Sequence, residues 1–214
     1  TGEAYPEPFD MRLSFKDENF GLSVGEEQFR WPSIVRLGKE ALNNIYDGSM
    51  DLRADEEFDT NYSSPKRYLW DKKPYYGQWK YVSEKERYVG PSKTVFMEGI
   101  SQQFRNDGSF TPNPKEMGDK YCYSRSSLMT FCFIEILLQA RMQINSIEFR
   151  EKNGEQGRKR EIVRVIITCP TAMSKEEQIT MRQSMETATV VLKRCLSGSY
   201  NMAYEAENDH EKVE

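Results

Sequence analysis

Four cysteines, one histidine and a scatter of carboxylates are the side chains best able to do chemistry in this chain of 214 residues. The cysteines are Cys122, Cys132, Cys169 and Cys195, and no two stand at a C-x-x-C spacing. Three of them sit inside apolar patterns, which predicts buried, reduced thiols and a reducing, cytoplasmic compartment. The one histidine, His210, lies in an acidic tail. That argues against a zinc site or a histidine-based triad inside this chain. Glu56-Glu57 and Glu176-Glu177 read as solvated charges. A paired-carboxylate hydrolase is the competing enzyme class, and it would need two carboxylates facing each other across a cleft. No glycine loop of the Walker or dinucleotide type is present, nor a G-x-S-x-G elbow. Taken alone, these residues describe a non-catalytic piece with no cofactor and no metal.

Composition narrows the remaining classes. Apolar residues make up 37%, charged residues 30% and aromatic residues 12% of the chain. The aromatic share argues against wholesale disorder, and the length suits one large domain or two small ones. A net charge of −4 gives no electrostatic case for nucleic acid or an anionic membrane as a partner. The longest apolar stretch, Leu128 to Met142, is interrupted by Glu135, Gln139 and Arg141, and is too short and too charged to span a bilayer. Thr1-Gly2, without an initiator methionine or a signal peptide, reads like the start of an excised or mature fragment.

The elements that must position any site follow from pattern. "MRLSFKDENFGLSVGEEQFRWPSIVRL" (Met11–Leu37) alternates in short runs broken by Asn19, Gly21 and Gly25. It predicts two or three antiparallel strands, one of them Trp31–Val35. "GKEALNNIYD" predicts a short helix from Gly38, with Ala41, Leu42 and Ile45 on one face. An acidic, turn-rich connection follows. In "SSPKRYLWDKKPYYGQWKYV" (Ser63–Val82), Pro65 takes a first helical position after serine. Tyr68, Leu69, Trp70, Tyr75, Tyr76 and Trp79 then form the richest aromatic cluster. Aromatics beside lysines can bind single-stranded nucleic acid, but the acidic surroundings favour packing against the body of the domain.

Residues 84–121 are weakly patterned and predict an irregular stretch. The strongest helix runs from about Ser126 to Ile144, apolar nearly all round and therefore central. "REKNGEQGRKRE" (Arg150–Glu161) predicts a solvated charged loop around Gly154 and Gly157. Ile162 to Cys169 is β-branched and predicts a strand buried on both faces. Pro170 ends it. Ser174 with Glu177 three residues on makes a capping box. Met181, Met185, Ala188, Leu192 and Cys195 give the next helix one apolar stripe, and Ser197-Gly198 ends it. The fold class is α+β: a mixed sheet with packed helices over residues 1–200, an irregular insertion at about 84–120, and an acidic, frayed tail at 201–214.

The order of these segments carries a resemblance. "WPSIVRLGKEALNN" followed by "SSPKRYLW" resembles DnaK-type heat-shock chaperones, where a P-S-x-V strand leads to a G-x-x-A helix and then to a lysine-arginine pair at a helix start. "FIEILLQAR … IVRVIITCPTAMSKEEQITMRQSM" is similar to their later block, in which a strand ending in V-P-A precedes a helix. The match covers about 160 residues. It implies part of the first lobe of the actin/DnaK ATPase fold, which is ribonuclease-H-like. Within that superfamily, "SSPKRYLWDKKPYYGQW" and "ITCPTAMSKEEQ" most resemble the large bacterial virulence factor SrfB proteins, which are several times longer than this chain.

What the resemblance implies about residues is specific. Lys66 matches a lysine that reaches the γ-phosphate and attacking water, and Arg67 an arginine near the nucleotide. Pro170 matches a proline that couples nucleotide state to lobe movement. The same positions also read as surface charges at a helix start and as an ordinary strand terminator. The D-L-G-T phosphate loop is absent, and "FGLSVG" (Phe20–Gly25) is a poor substitute. The second phosphate loop and adenosine-binding glycines are absent too. The expectation is therefore a fragment without ATPase activity, whose longer parent frames a cleft for ATP and magnesium. Its partners would be the remainder of that parent or another protein, with no nucleic acid and no membrane. A stand-alone interaction module using the aromatic patch 68–79 is the alternative. If the lobe is right, Ile162–Cys169 joins a sheet with Trp31–Val35 and Lys66 points into a cleft. Burial of both Trp70 and Trp79 would rule out the aromatic patch as a surface.

Overall fold

The computed structural model describes residues 11–15, 19–24, 27–30, 33, 35–49, 61–74, 79–81, 93–94, 104–111 and 123–196. Its strands are β1 (Arg12–Phe15), β2 (Asn19–Val24), β3 (Glu27–Arg30), β4 (Val35–Leu37), β5 (Asn61–Ser63), β6 (Lys80–Tyr81) and β7 (Lys93–Thr94). Its helices are α1 (Gly38–Ser49), α2 (Ser127–Ile144), α3 (Ile147–Lys152) and α4 (Lys175–Leu196), with a 3-10 helix at Pro65–Tyr68.

The main sheet is antiparallel with strand order β4-β1-β5. Its register sets Leu13 opposite Leu37 and Tyr62, and Phe15 opposite Val35. Residues 13, 15, 35 and 37 share one face because side chains alternate along a strand, and all four are buried. The opposite face is covered as well. Ser14 and Arg36 are opposed there and buried, and Asn44 of α1 donates to Ser14 Oγ at 3.0 Å. The fold is thus mixed α+β around a small antiparallel sheet; residues 11–37 hold four strands rather than two or three, and the third strand of the main sheet, β5, comes from beyond them. β2–β3 and β6–β7 are separate two-stranded pairs. The predicted strand Trp31–Val35 is found as Val35–Leu37, running directly into α1; Trp31, Pro32 and Ile34 lie outside the described residues.

α2 is the central helix. Residues 127–135 are buried without a break, because its apolar residues surround the axis and α2 packs on β4, on α4 and on the 3-10 turn. Its first N–H groups are met by backbone carbonyls: Ser126 donates to Asp71 O at 3.0 Å and Ser127 to Ser124 O at 3.2 Å. An aromatic chain ties sheet to helix. Phe15 meets Trp79 at 4.8 Å, Trp79 stacks on Tyr123 at 5.6 Å, and Tyr123 meets Phe131 edge-on at 5.0 Å.

α4 begins as its sequence requires. Glu177 N–H donates to Ser174 Oγ at 3.2 Å, and Ser174 N–H donates back to Glu177 Oε2 at 3.0 Å. Met181, Met185, Ala188 and Leu192 form its buried stripe, joined by Val191; Cys195's side chain lies outside the described residues. α4 runs antiparallel to α2. Arg194, near its C-terminal end, stacks 4.6 Å over Phe110, whose neighbour Phe104 packs edge-on against Phe131 near the start of α2.

Two expectations are corrected. The charged stretch after α2 is not all loop: Ser146 Oγ accepts from Phe149 N–H at 3.2 Å and starts the short α3. Gly154 and Gly157 then turn the chain with φ of 66° and 87°. The second correction is larger. Ile162–Cys169 is not a strand buried on both faces. Residues 158–170 have no helix, strand, turn or bend, and Val163 and Ile166 are 93% and 78% exposed. This run does not join the sheet that contains β4. A strand exists only where a neighbour supplies N–H and C=O groups, and β-branched composition creates a preference without creating the neighbour.

Candidate functional site

Lys66 and Arg67 sit on a small pedestal whose geometry follows from Ser64-Pro65. Ser64 adopts a left-handed φ of 52°, and its N–H donates to Met11 O at 2.7 Å. Pro65, with its fixed φ, opens the 3-10 turn and is buried. A 3-10 turn has three residues per turn, so Pro65 and Tyr68 share its inner side. Leu69 is fully buried and Tyr68 packs edge-on against Tyr62 at 5.7 Å. Lys66, Arg67 and Trp70 are left on the outside, and Lys72 and Lys73 follow them, exposed.

The pedestal is fastened to the start of α2. Asp71 O accepts from Ser126 N–H, Asp71 Oδ2 lies 3.7 Å from Arg125 Nη1, and Arg125 stacks 5.7 Å from the Tyr68 ring centre. Pro74 and Ser124 form a β-bridge. The backbone that carries Lys66 and Arg67 is therefore anchored, and both side chains are exposed.

Pro170 is not brought to them. It is exposed, and its carbonyl accepts from Met173 N–H at 3.0 Å, just ahead of α4. Because α2 and α4 are antiparallel, Pro170 lies at the other end of that helix pair from the pedestal. The 18 residues of α2 correspond to roughly 27 Å at 1.5 Å per residue.

The two indoles of the aromatic cluster part company. Trp70 is 68% exposed, whereas Trp79 is 3% exposed inside the aromatic chain. The predicted patch 68–79 thus contracts to one surface ring. Tyr75 and Tyr76 lie outside the described residues.

Sequence reasoning missed a buried charged cluster. Glu135 on α2 is completely buried; its Oε1 accepts from Gln139 Nε2 at 2.7 Å, and its Oε2 lies 4.0 Å from Arg36 Nη1 on β4. Arg36 Nη1 also donates to Val35 O at 2.8 Å and Ser33 O at 3.1 Å. The signal was a glutamate inside the apolar run of α2. Cys132 lies one turn before it, its thiol pushed up to about 12 by burial and then by the Glu135 charge. Such a thiol is a packing residue and a poor nucleophile. Among the described residues no three histidine, cysteine or acidic side chains gather as a metal site.

Fold and site together define an α+β domain with an exposed basic and aromatic segment at residues 66–73. The family model for virulence factor SrfB matches residues 2–214. The chain belongs to the virulence factor SrfB family. No curated protein and no solved structure matches it.

Proposed function

We propose that this chain is a non-catalytic, interaction-bearing part of a longer virulence-associated protein, and that the remainder of that protein covers residues 162–169. The observation that carries this reading is the exposure of Val163 and Ile166 in a run with no ladder partner. Contiguous exposed apolar residues mark an interaction site. Unpaired N–H and C=O groups along a β-branched segment are a template for strand addition. One side of the run already has its support: Ile167 packs on the core, and the Cys169 thiol lies 3.9 Å from Met181 Sδ on α4.

The finer form of this proposal is the first lobe of an actin/DnaK-like ATPase. It rests on the resemblance and on the order of β4, α1, the lysine-arginine turn, α2, the run 162–169 and α4, while in this structure the run stands outside the sheet of β4 and Lys66 is exposed rather than in a cleft. In that form the run enters the lobe's sheet once the parent supplies neighbouring strands, and Lys66 and Arg67 border a nucleotide cleft. ATP with magnesium then binds the parent alone.

Hydrogen exchange over residues 162–169 tests the proposal, measured in this chain and in a longer polypeptide that includes its flanking sequence. Protection gained only in the longer chain supports it, and equal fast exchange in both refutes it. Calorimetric titration with ATP and magnesium separates the finer form. Binding by the longer chain that is lost in Lys66→Ala supports the lobe, and no binding by the longer chain removes it.

A further inference from the structure

The pedestal at residues 64–73 has a property that neither strand pairing nor a nucleotide cleft requires. It holds a tryptophan in solvent, surrounded in sequence by four cations, on backbone that is pinned from below. Trp70 is 68% exposed, and Lys66, Arg67, Lys72 and Lys73 are exposed beside it. The one carboxylate of the segment, Asp71, is occupied by Arg125 at 3.7 Å. We infer that this surface docks an acidic segment of a protein partner, with Trp70 as its anchor.

Three observations carry the inference. The first is pre-organisation. Leu69 is locked in the core, Asp71 O is bound by Ser126 N–H, and Lys72 N–H donates to Trp70 O at 3.2 Å. Ser64 holds a left-handed conformation that is unfavourable for a non-glycine residue and persists only where its surroundings over-determine it. A surface fixed in advance loses little entropy on binding.

The second is residue type. Tryptophan and arginine dominate the energetic centres of protein interfaces. Here Arg67 lies on the 3-10 turn and Trp70 just after it, and both are exposed.

The third is charge. The chain as a whole carries −4, yet residues 66–73 hold four exposed cations and one carboxylate, a local excess of positive charge suited to a short acidic partner segment. Single-stranded nucleic acid fits less well. It uses successive stacking rings, and the neighbouring ring, Tyr68, is already engaged by Tyr62 and Arg125.

The inference goes beyond strand completion and is tested separately from it. The probe is a fluorescein-labelled dodecapeptide of alternating Glu and Asp, titrated by anisotropy into the 214-residue chain at low and physiological salt. Expected is binding that weakens with salt, that falls about tenfold or more in Trp70→Ala, and that falls similarly in Lys72→Glu/Lys73→Glu. Trp70→Phe and Lys72→Arg/Lys73→Arg should retain most of it. Circular dichroism and hydrogen exchange over 162–169 should be unchanged in every variant, since the altered side chains are exposed. Absence of salt-dependent binding overturns the inference, and so does equal binding by Trp70→Ala. Tighter binding of oligothymidylate or of ATP with magnesium, lost in the same variants, reassigns the surface to those ligands and overturns it too.

Discussion

Arg36 on β4 and Glu135 on α2 face each other across the core, Nη1 to Oε2 at 4.0 Å, with side chains only 2% and 1% exposed. The pair joins the edge of the sheet to the central helix. At that separation the attraction is not a tight fork, and each partner leans on neutral hydrogen-bond groups as well. A buried ion pair of this kind is weak evidence of stability, but breaking it leaves a charge in the core.

Arg36→Met and Glu135→Leu should each destabilise the chain, by up to about 3–5 kcal/mol for a buried pair, and Glu135→Leu should cost less, because Arg36 Nε keeps Glu40 Oε1 at 3.9 Å. The double variant should be less destabilised than the sum, by at least about 1 kcal/mol. Urea unfolding of all four proteins reads this. Additive losses would show that the two side chains do not sense each other.

Cys132 should resist alkylation in the folded chain at pH 8, while exposed Cys169 is modified. The Cys132 thiol is raised from an ordinary value of 9.0 to about 12. A folded-state value above the unfolded one means that its contribution is fully present below pH 9 and is lost as pH rises towards 12. Stability of the wild-type chain should therefore fall over that window more steeply than stability of Cys132→Ala. Iodoacetamide labelling with peptide mapping and unfolding against pH are the measurements. Labelling of Cys132 at the rate of Cys169 would contradict its burial.

Gly108 turns with φ of 82° against the start of α2, where an added Cβ would sit 2.7 Å from Ser127 Cα. Thr130 Oγ1 also donates to Gly108 O at 3.1 Å. Gly108→Ala should cost more than the roughly 1–2 kcal/mol of a left-handed alanine. Gly154→Ala, at φ of 66° with nothing within 4 Å, should cost only that amount. A comparison of melting temperatures decides, and equal losses would remove the steric argument.

Ser174→Ala should cost about 1 kcal/mol through loss of the cap at α4. Glu177→Ala should cost less than Ser174→Ala, and the double variant little more than Ser174→Ala, because the two side chains bond reciprocally. Full additivity in thermal unfolding would show that the box does not act as a unit.

The features legible in the chain itself are those made by neighbours within about four residues. Ser174 and Glu177 announce the start of α4, and Met181 to Leu192 announce its buried stripe. Pro65 announces the 3-10 turn, and the all-round apolar pattern announces α2. Capping and helical periodicity are local, so the residues that cause them are adjacent in sequence. Membership of the SrfB family was legible for the same kind of reason, from contiguous segments such as "SSPKRYLWDKKPYYGQW".

What only the tertiary structure decided depends on partners far along the chain. Trp70 and Trp79 belong to one aromatic cluster in sequence, yet Phe15 and Tyr123 enclose Trp79 while Trp70 stays 68% exposed. Glu135 reads as an interruption of an apolar run, and becomes a brace only because β4 carries Arg36 to it. The β-branched run 162–169 prefers a strand but stands without one, since pairing needs a second backbone at hydrogen-bonding distance. Local chemistry sets what a segment prefers, and the rest of the chain sets whether that preference is met.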